Sequence, residues 1–207
     1  IYLPYKKKQK TRADVAVEKG LKPVAEWLLT TKMKNDDFVK KYINQEFELY
    51  NIDDVLLNSC DILAEELSYN TDIRDFVREN LLRNGIIETK KNDKVDDERE
   101  VYKGYYDNSF KVFSIPEWRV LAINRAEKEK KIKIKLVLDW NRFNPFLERK
   151  TGEIELEGLV LMLMKIAKIR DSHPYFELLN SMTKDSLKRL ILPAIEREIR
   201  ADLTEKA

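Results

Sequence analysis

The side chains with the clearest chemical potential in this sequence are basic. Residues 1–12 carry five basic side chains and no acidic one: Lys6, Lys7, Lys8, Lys10 and Arg12. Such a run can neutralise phosphates and release their counterions, so that binding weakens steeply with salt. A solvated N-terminal arm explains the same run, and this alternative is favoured because runs of charge are usually exposed.

A second basic group is spaced for one face of a β-strand. Charged and aliphatic residues alternate between residues 131 and 138, which is the two-residue period of a half-buried strand. A nucleic-acid backbone could lie across this face, without base-specific readout. The favoured alternative is that the lysines protect an exposed sheet edge from pairing with another chain. The group consists of Lys131, Lys133 and Lys135, with Arg119 and Arg125 from the helix that precedes them.

Signals of catalysis are poor. The single histidine, His173, needs a nucleophile and an orienting group within reach to act as a base, and neither is evident. The sequence offers no Gly-x-Ser-x-Gly motif, phosphate-cradling glycine loop or paired metal ligands. Cys60 has aliphatic neighbours and is expected to be a small buried side chain. The sequence therefore predicts a protein that is not an enzyme and has no cofactor or metal.

Composition favours helices. The chain has 207 residues, of which 43% are hydrophobic and 37% charged, with only five glycines and six prolines, fewer than turn-rich β-folds need. A net charge of +2 gives no global argument for nucleic acid. No segment approaches the roughly 18 apolar residues of a membrane span. A single cysteine excludes an internal disulfide and fits a reducing compartment.

The pattern of elements predicts a mainly α fold, an irregular multi-helical array with one small β element. Helix starts are expected at Thr11, Pro23, Asn35, Asp53 and Thr71. The strand at 131–138 needs a partner, which either Ile86–Thr89 or the Val112–Phe113 region could supply. The charged segment Lys90–Glu100 is expected to be an exposed loop and a soft boundary, dividing the chain into sub-regions 1–90 and 91–207.

The C-terminal region is predicted to be one long helix. Thr183 or Ser181 is expected to cap it, and Pro193 is expected to kink it, because proline deletes a backbone donor and clashes with the preceding turn. The sequence begins at Ile1 without an initiator Met and stops at Ala207 inside an unfinished helical pattern. Both ends are therefore expected to be cut from a longer protein.

Five stretches carry a family resemblance, in order and over nearly the whole chain. They are Tyr2–Arg12 together with Ala16–Ala25, Asp54–Glu66, Val101–Asp107, Pro116–Glu127 and Leu187–Ala207. Together they resemble the bacterial transcription accessory protein Tex. One departure is Ala126, which stands where this family usually has glycine.

The resemblance implies a cytoplasmic, multidomain, nucleic-acid-binding parent linked to transcription. In this family the helical region is followed by a ribonuclease-H-like domain, helix-hairpin-helix elements and an OB-fold that makes the main nucleic-acid contact. The chain would then be a helical scaffold that binds RNA or DNA mainly through domains it lacks, with weak contacts of its own. The alternative is a docking module for RNA polymerase or another transcription factor.

Overall fold

The computed structural model describes residues 10–95, 100–138 and 152–207, which are mainly helical with one small sheet, as the sequence predicts. Within these ranges, no helix has both the length and the apolar character needed to cross a membrane. The strands are β1 (Gly85–Lys91), β2 (Asn108–Lys111) and β3 (Ile132–Leu138). The α-helices are α1 (Arg12–Glu18), α2 (Lys22–Thr30), α3 (Asp36–Lys40), α4 (Ile52–Tyr69), α5 (Thr71–Asn84), α6 (Glu117–Lys128), α7 (Gly152–Ile166), α8 (Phe176–Ser186) and α9 (Leu192–Lys206).

Contacts divide the chain into two compact units, each built from two segments. The first unit comprises the described residues up to Ile73 together with Leu156–Leu190, and the second comprises those from Arg74 to Glu155 together with Ile191–Ala207. The division at residues 90 and 91 that the sequence suggests stays a prediction.

Helix caps in the first unit follow the sequence. The Thr11 side chain accepts a hydrogen bond from the Asp14 amide, and the Asp14 carboxylate accepts one from the Thr11 amide, which forms a capping box. The Asn35 side chain caps α3 by accepting a hydrogen bond from the Phe38 amide. Gly20 follows α1 at φ +78°, a conformation that glycine adopts without steric cost. These local signals explain why the predicted helix starts are correct.

The core of the first unit is organised around α4, which packs against α1, α2 and α8. Its buried side includes Val55 and Leu63, and α2 contributes Val24 and Leu28, all fully or almost fully shielded from solvent. The buried Ser186 hydroxyl donates to the Ala64 carbonyl at 2.6 Å, which ties α8 to α4. Apolar burial thus supplies the packing, and one buried hydrogen bond fixes how these two helices meet.

The second unit holds an antiparallel sheet in the order β2–β1–β3. The strand predicted at 131–138 is confirmed as β3, and its partner is the Ile86–Thr89 segment, whereas Val112 and Phe113 lie in a 3₁₀ turn. Gly85 joins α5 directly to β1, and any Cβ there would collide with the Leu81 carbonyl. The predicted loop begins later than expected, because β1 continues through Lys91.

The C-terminal region differs from the prediction at one point. Thr183 does not cap a helix: it is buried within α8, where its hydroxyl donates to the Leu179 carbonyl at 2.8 Å. Ser181 also lies inside α8. A π-helical segment, Leu187–Ile191, follows α8, and Pro193 stands in the first turn of α9. The missing proline N–H therefore coincides with an interrupted hydrogen-bond ladder, which is where proline is tolerated.

Candidate nucleic-acid interface

The N-terminal basic run is largely compensated where it is described. Lys6, Lys7 and Lys8 lie outside the described residues. The Lys10 ammonium forms an ion pair with Glu18 at 2.7 Å. Arg12 lines a cavity of about 220 Å³ together with Asp61 and Asp185. Burial raises the pKa of Asp61, and the Arg12 charge opposes that rise. Both described members of this run therefore lie close to acidic side chains of the first unit.

The strand lysines have the exposure that their spacing predicts. Ile132 and Leu136 are buried, whereas Lys133 and Lys135 are exposed on the other side of β3. Lys131 precedes the strand and is half-buried; its amide donates to the Ala126 carbonyl at 2.9 Å. Lys133 and Lys135 are thus the two predicted residues that share an open face of the strand.

The register of the sheet adds two lysines to this face. Lys90 on β1 is paired with Lys133, and Ile86 on the same side of β1 is paired with Lys111 of β2. Directly paired residues point to the same side of a sheet, so all four ammonium groups leave one face. This surface, called the lysine face below, consists of Lys90, Lys111, Lys133 and Lys135, all of them exposed.

Charge on the lysine face is only partly balanced. Glu88, which is paired with Lys135, is the one carboxylate that the strand register places among the lysines. None of the four lysines forms an ion pair with another described residue. Four positive charges and one negative charge leave a local excess of three.

Of the two predicted arginines, Arg119 does not join this surface. The Arg119 guanidinium lies 4.8 Å from the ring centroid of Phe110 and 4.7 Å from that of Trp118. Phe110 is paired with the buried Ile87, so it stands on the opposite side of the sheet from the lysine face. Arg119 is therefore held by cation–π contacts elsewhere. Arg125 is exposed in the last turn of α6.

The outer edge of β3 is partly covered. Among the described strands β3 pairs only with β1, so its other edge would present free backbone groups. The Leu136 amide donates to Oε1 of Glu196 at 3.1 Å, so α9 supplies an acceptor at this edge. At Leu136 a carboxylate protects this edge, and edge protection by the lysines of β3 stays a prediction.

Burial or local hydrogen bonds characterise the other reactive groups that the sequence singles out. Burial raises the pKa of the Cys60 thiol to about 12, and the negative charge of Asp61 adds to the rise. The half-buried His173 accepts a hydrogen bond from the Tyr175 amide at Nδ1, at 3.1 Å, and burial lowers its pKa. Asp54 accepts from the amides of Tyr50 and Asn51. Among the described residues, no group of three or more His, Cys, Asp or Glu side chains is arranged to hold a metal ion.

A family model described as Tex central region-like matches residues 30–207 of this chain. The chain belongs to the Tex family. The predicted resemblance to the Tex family is therefore confirmed. The matched region includes the whole sheet and its lysine face, so this surface is part of the Tex central region of this protein.

Curated relatives agree with this assignment. The chain is 35% identical to protein YdcI of Bacillus subtilis over all of its length and 27% of that protein. It is 27% identical to Protein tex of Bordetella pertussis over 67% of this chain and 18% of the relative. It is also 27% identical to the transcriptional accessory protein Tex of Neisseria gonorrhoeae, over 84% and 22% respectively. The chain thus spans a quarter or less of the length of most of these relatives.

Proposed function

We propose that this chain is a helical scaffold of a Tex-like transcription accessory factor and that its lysine face makes a weak, sequence-independent contact with nucleic acid. Its place in the Tex family supports the link to transcription, since one relative is named a transcriptional accessory protein. In this proposal the protein acts in the cytoplasm without catalysis, and the main contact with RNA or DNA is made by domains that this chain does not contain.

The observation that carries the nucleic-acid contact is the convergence of four lysines on one sheet face. Lys133 and Lys135 stand about 6.6 Å apart along the strand, and neighbouring strands lie about 4.8 Å apart. A lysine ammonium is a point charge without the planar fork that reads base edges, so these groups suit phosphates.

The composition of the face also defines the kind of contact. None of the strand residues on the side of the lysine face is aromatic, because its other members are Ile86, Glu88, Ser109 and Val137. Base stacking, which single-stranded nucleic-acid-binding proteins use for affinity, is therefore not offered by the sheet itself. At most four phosphates are neutralised. For a single strand we therefore expect the logarithm of the association constant to fall with the logarithm of the salt concentration with a slope of about −3.

Fluorescence anisotropy with labelled single-stranded RNA across a salt series tests this contact. We expect the double variant Lys133→Gln/Lys135→Gln to bind more weakly and to show a slope that is smaller in magnitude by about 1.4. The matched control is Lys22→Gln/Lys188→Gln, which removes the same charge from exposed positions of the first unit. Equal loss in both variants, or no loss in either, would refute the lysine face.

The scaffold role has its own test. A longer Tex protein that includes the downstream domains should bind RNA more tightly than this chain alone. The change Lys133→Gln/Lys135→Gln in that longer protein should reduce its RNA affinity only slightly. If the longer protein bound no better than this chain, the scaffold role would fail.

A docking module for RNA polymerase is the second candidate function. The observation in its favour is an apolar stripe on α6: Trp118 is 58% exposed and Leu121 44% exposed, and they lie three residues apart on one helix face. Aromatic residues of this kind are enriched among the energetic centres of protein interfaces. Stoichiometric binding of purified polymerase that Trp118→Ala abolishes would support docking, and unchanged binding would exclude this stripe.

A further inference from the structure

A cleft of about 610 Å³ in the first unit gathers cations from segments distant in sequence. Lys32 follows α2, and Lys168 and Arg170 follow α7, and all three side chains are exposed. Ser172 and His173 complete the polar lining, and none of the described residues that line the cleft is acidic. We call this site the cationic cleft, defined by Lys32, Lys168, Arg170, Ser172 and His173.

The positive charge of the cationic cleft is not neutralised within the described part of the chain. Lys32, Lys168 and Arg170 form no ion pair there. Two other cations of the same unit do have partners: Lys10 pairs with Glu18, and the Lys34 ammonium lies 5.8 Å from the ring centroid of Tyr175. Like charges gathered without a counterion repel one another and produce a local positive potential.

Helix ends offer a simpler explanation for cations here, because the last carbonyls of a helix attract positive charge. At the end of α7, however, the chain uses these carbonyls itself. The Ile169 amide donates to the Met164 carbonyl at 2.9 Å, and the Lys168 amide donates to the Lys165 carbonyl at 3.0 Å. Lys168 adopts φ +61°, as in a helix-terminating motif in which backbone amides satisfy the carbonyls.

The end of α2 is satisfied in part. The Thr31 amide donates to the Trp27 carbonyl at 2.9 Å, and the Thr30 hydroxyl lies 3.2 Å from the carbonyls of both Glu26 and Trp27. The carbonyls of Leu163, Met164 and Lys165 in α7 and that of Trp27 in α2 therefore have donors that come from the backbone or a threonine. The ammonium and guanidinium groups remain available for another acceptor.

We propose that the cationic cleft binds a phosphate group, either free or carried by a nucleotide chain. The Arg170 guanidinium has the planar fork that binds two phosphate oxygens together. Lys32 and Lys168 add point charges, and the Ser172 hydroxyl can donate a further hydrogen bond. Three cations suit a doubly charged phosphate better than a singly charged carboxylate, and the volume leaves room for part of its hydration shell.

This inference is independent of the lysine face, which belongs to the other unit. The two sites are separated experimentally by the probe. Pyrophosphate presents the phosphate chemistry alone, whereas a single-stranded oligonucleotide presents it on a chain that the lysine face also contacts. Each probe is therefore tested against variants of both sites.

Isothermal titration calorimetry with the full chain at low salt measures the affinities for pyrophosphate and for the single-stranded oligonucleotide. The variant Lys32→Gln/Arg170→Gln should bind pyrophosphate at least about tenfold more weakly, because it removes two of the three cations that would hold the anion. The control Lys22→Gln/Lys188→Gln and the lysine-face variant Lys133→Gln/Lys135→Gln should keep the parental affinity. Chemical-shift changes at the Ser172 and Lys168 amides should accompany binding.

The outcomes separate the two sources of phosphate. Loss of pyrophosphate binding in the cleft variant supports a site for a free anion. Loss of oligonucleotide binding in the cleft variant, with no pyrophosphate binding by the parent, supports a site for a nucleotide chain. If neither probe is weakened in the cleft variant relative to the control, the proposal is wrong. The single variant Lys32→Gln, an exposed change with no effect expected on folding, repeats the comparison should the double variant melt early.

Discussion

Oε1 of Glu196 accepts a hydrogen bond from the backbone amide of Leu136 at 3.1 Å. Leu136 belongs to β3, an outer strand of the sheet, and is only 8% exposed. A helix side chain thus takes the place that a further strand would occupy at this amide. Since unpaired edges are where sheets recruit other chains, the contact protects the sheet from aggregation as well as stabilising it.

Removing this acceptor should lower the free energy of unfolding. Glu196→Ala leaves the Leu136 amide without a protein acceptor, so we expect the free energy of unfolding to fall by about 1–3 kcal/mol. Glu196→Gln keeps an acceptor oxygen, so its free energy of unfolding should fall clearly less. Urea denaturation followed by circular dichroism measures both. Equal losses for the two variants would mean that the hydrogen bond contributes little and that the carboxylate charge matters instead.

Two tryptophans of the chain make a matched pair for testing the core. Trp27 is half-buried, with its ring centroid 4.9 Å from that of Phe38 and 5.7 Å from that of Tyr175. Trp27→Ala should lower the free energy of unfolding by about 3 kcal/mol or more. Trp118 is 58% exposed, so Trp118→Ala should cost less than about 1 kcal/mol. Similar losses in chemical denaturation would show that the aromatic cluster around Trp27 is not part of the core.

The sequence predicts local features of this fold well because they depend on neighbours in the chain. The capping box at Thr11 and the alternation of residues in β3 are readable within a few positions. The lysine face is only half predictable, because Lys90 and Lys111 join it through strand register, which pairs distant segments. Thr183 is an attractive cap by residue type, but the packing of α8 keeps it inside a continuous helix.

The cationic cleft is even less predictable from the sequence than the lysine face. Lys32 and Arg170 are unremarkable charged residues in sequence, and each follows the end of a different helix. Only the packing of the first unit places them around one cleft. Their lack of acidic neighbours within the described lining is likewise a tertiary property, so no local sequence signal identifies this site.

His173 predicts a pH dependence of stability. Burial lowers its folded-state pKa, so the unfolded state binds a proton first as the pH falls below about 6.5. Its contribution to stability is complete above that pH and is lost as the pH falls towards the folded-state pKa. His173→Asn keeps an acceptor for the Tyr175 amide but does not titrate, so its stability should change less between pH 7.5 and pH 5.

Asp61 acts in the opposite sense and must be controlled for. Burial raises the pKa of Asp61. Its contribution to stability therefore grows as the pH falls and is lost as the pH rises through the folded-state pKa. Comparing the parent and His173→Asn at each pH removes the Asp61 contribution, which both proteins share. Parallel stability curves for the two proteins between pH 7.5 and pH 5 would contradict the histidine assignment.

Cys60 reports on the opening of the first unit. It is the single cysteine of the sequence and is 7% exposed on α4. With a pKa raised to about 12, chiefly by burial, almost none of the thiol is ionised at pH 8. Alkylation requires the thiolate and access to it, so native protein should react with iodoacetamide at least about a hundredfold more slowly than protein in urea. Mass spectrometry of timed samples measures both rates without interference from another thiol. Equal rates would mean that α4 does not bury its cysteine side, and the packing of α4 against its neighbours would then be wrong.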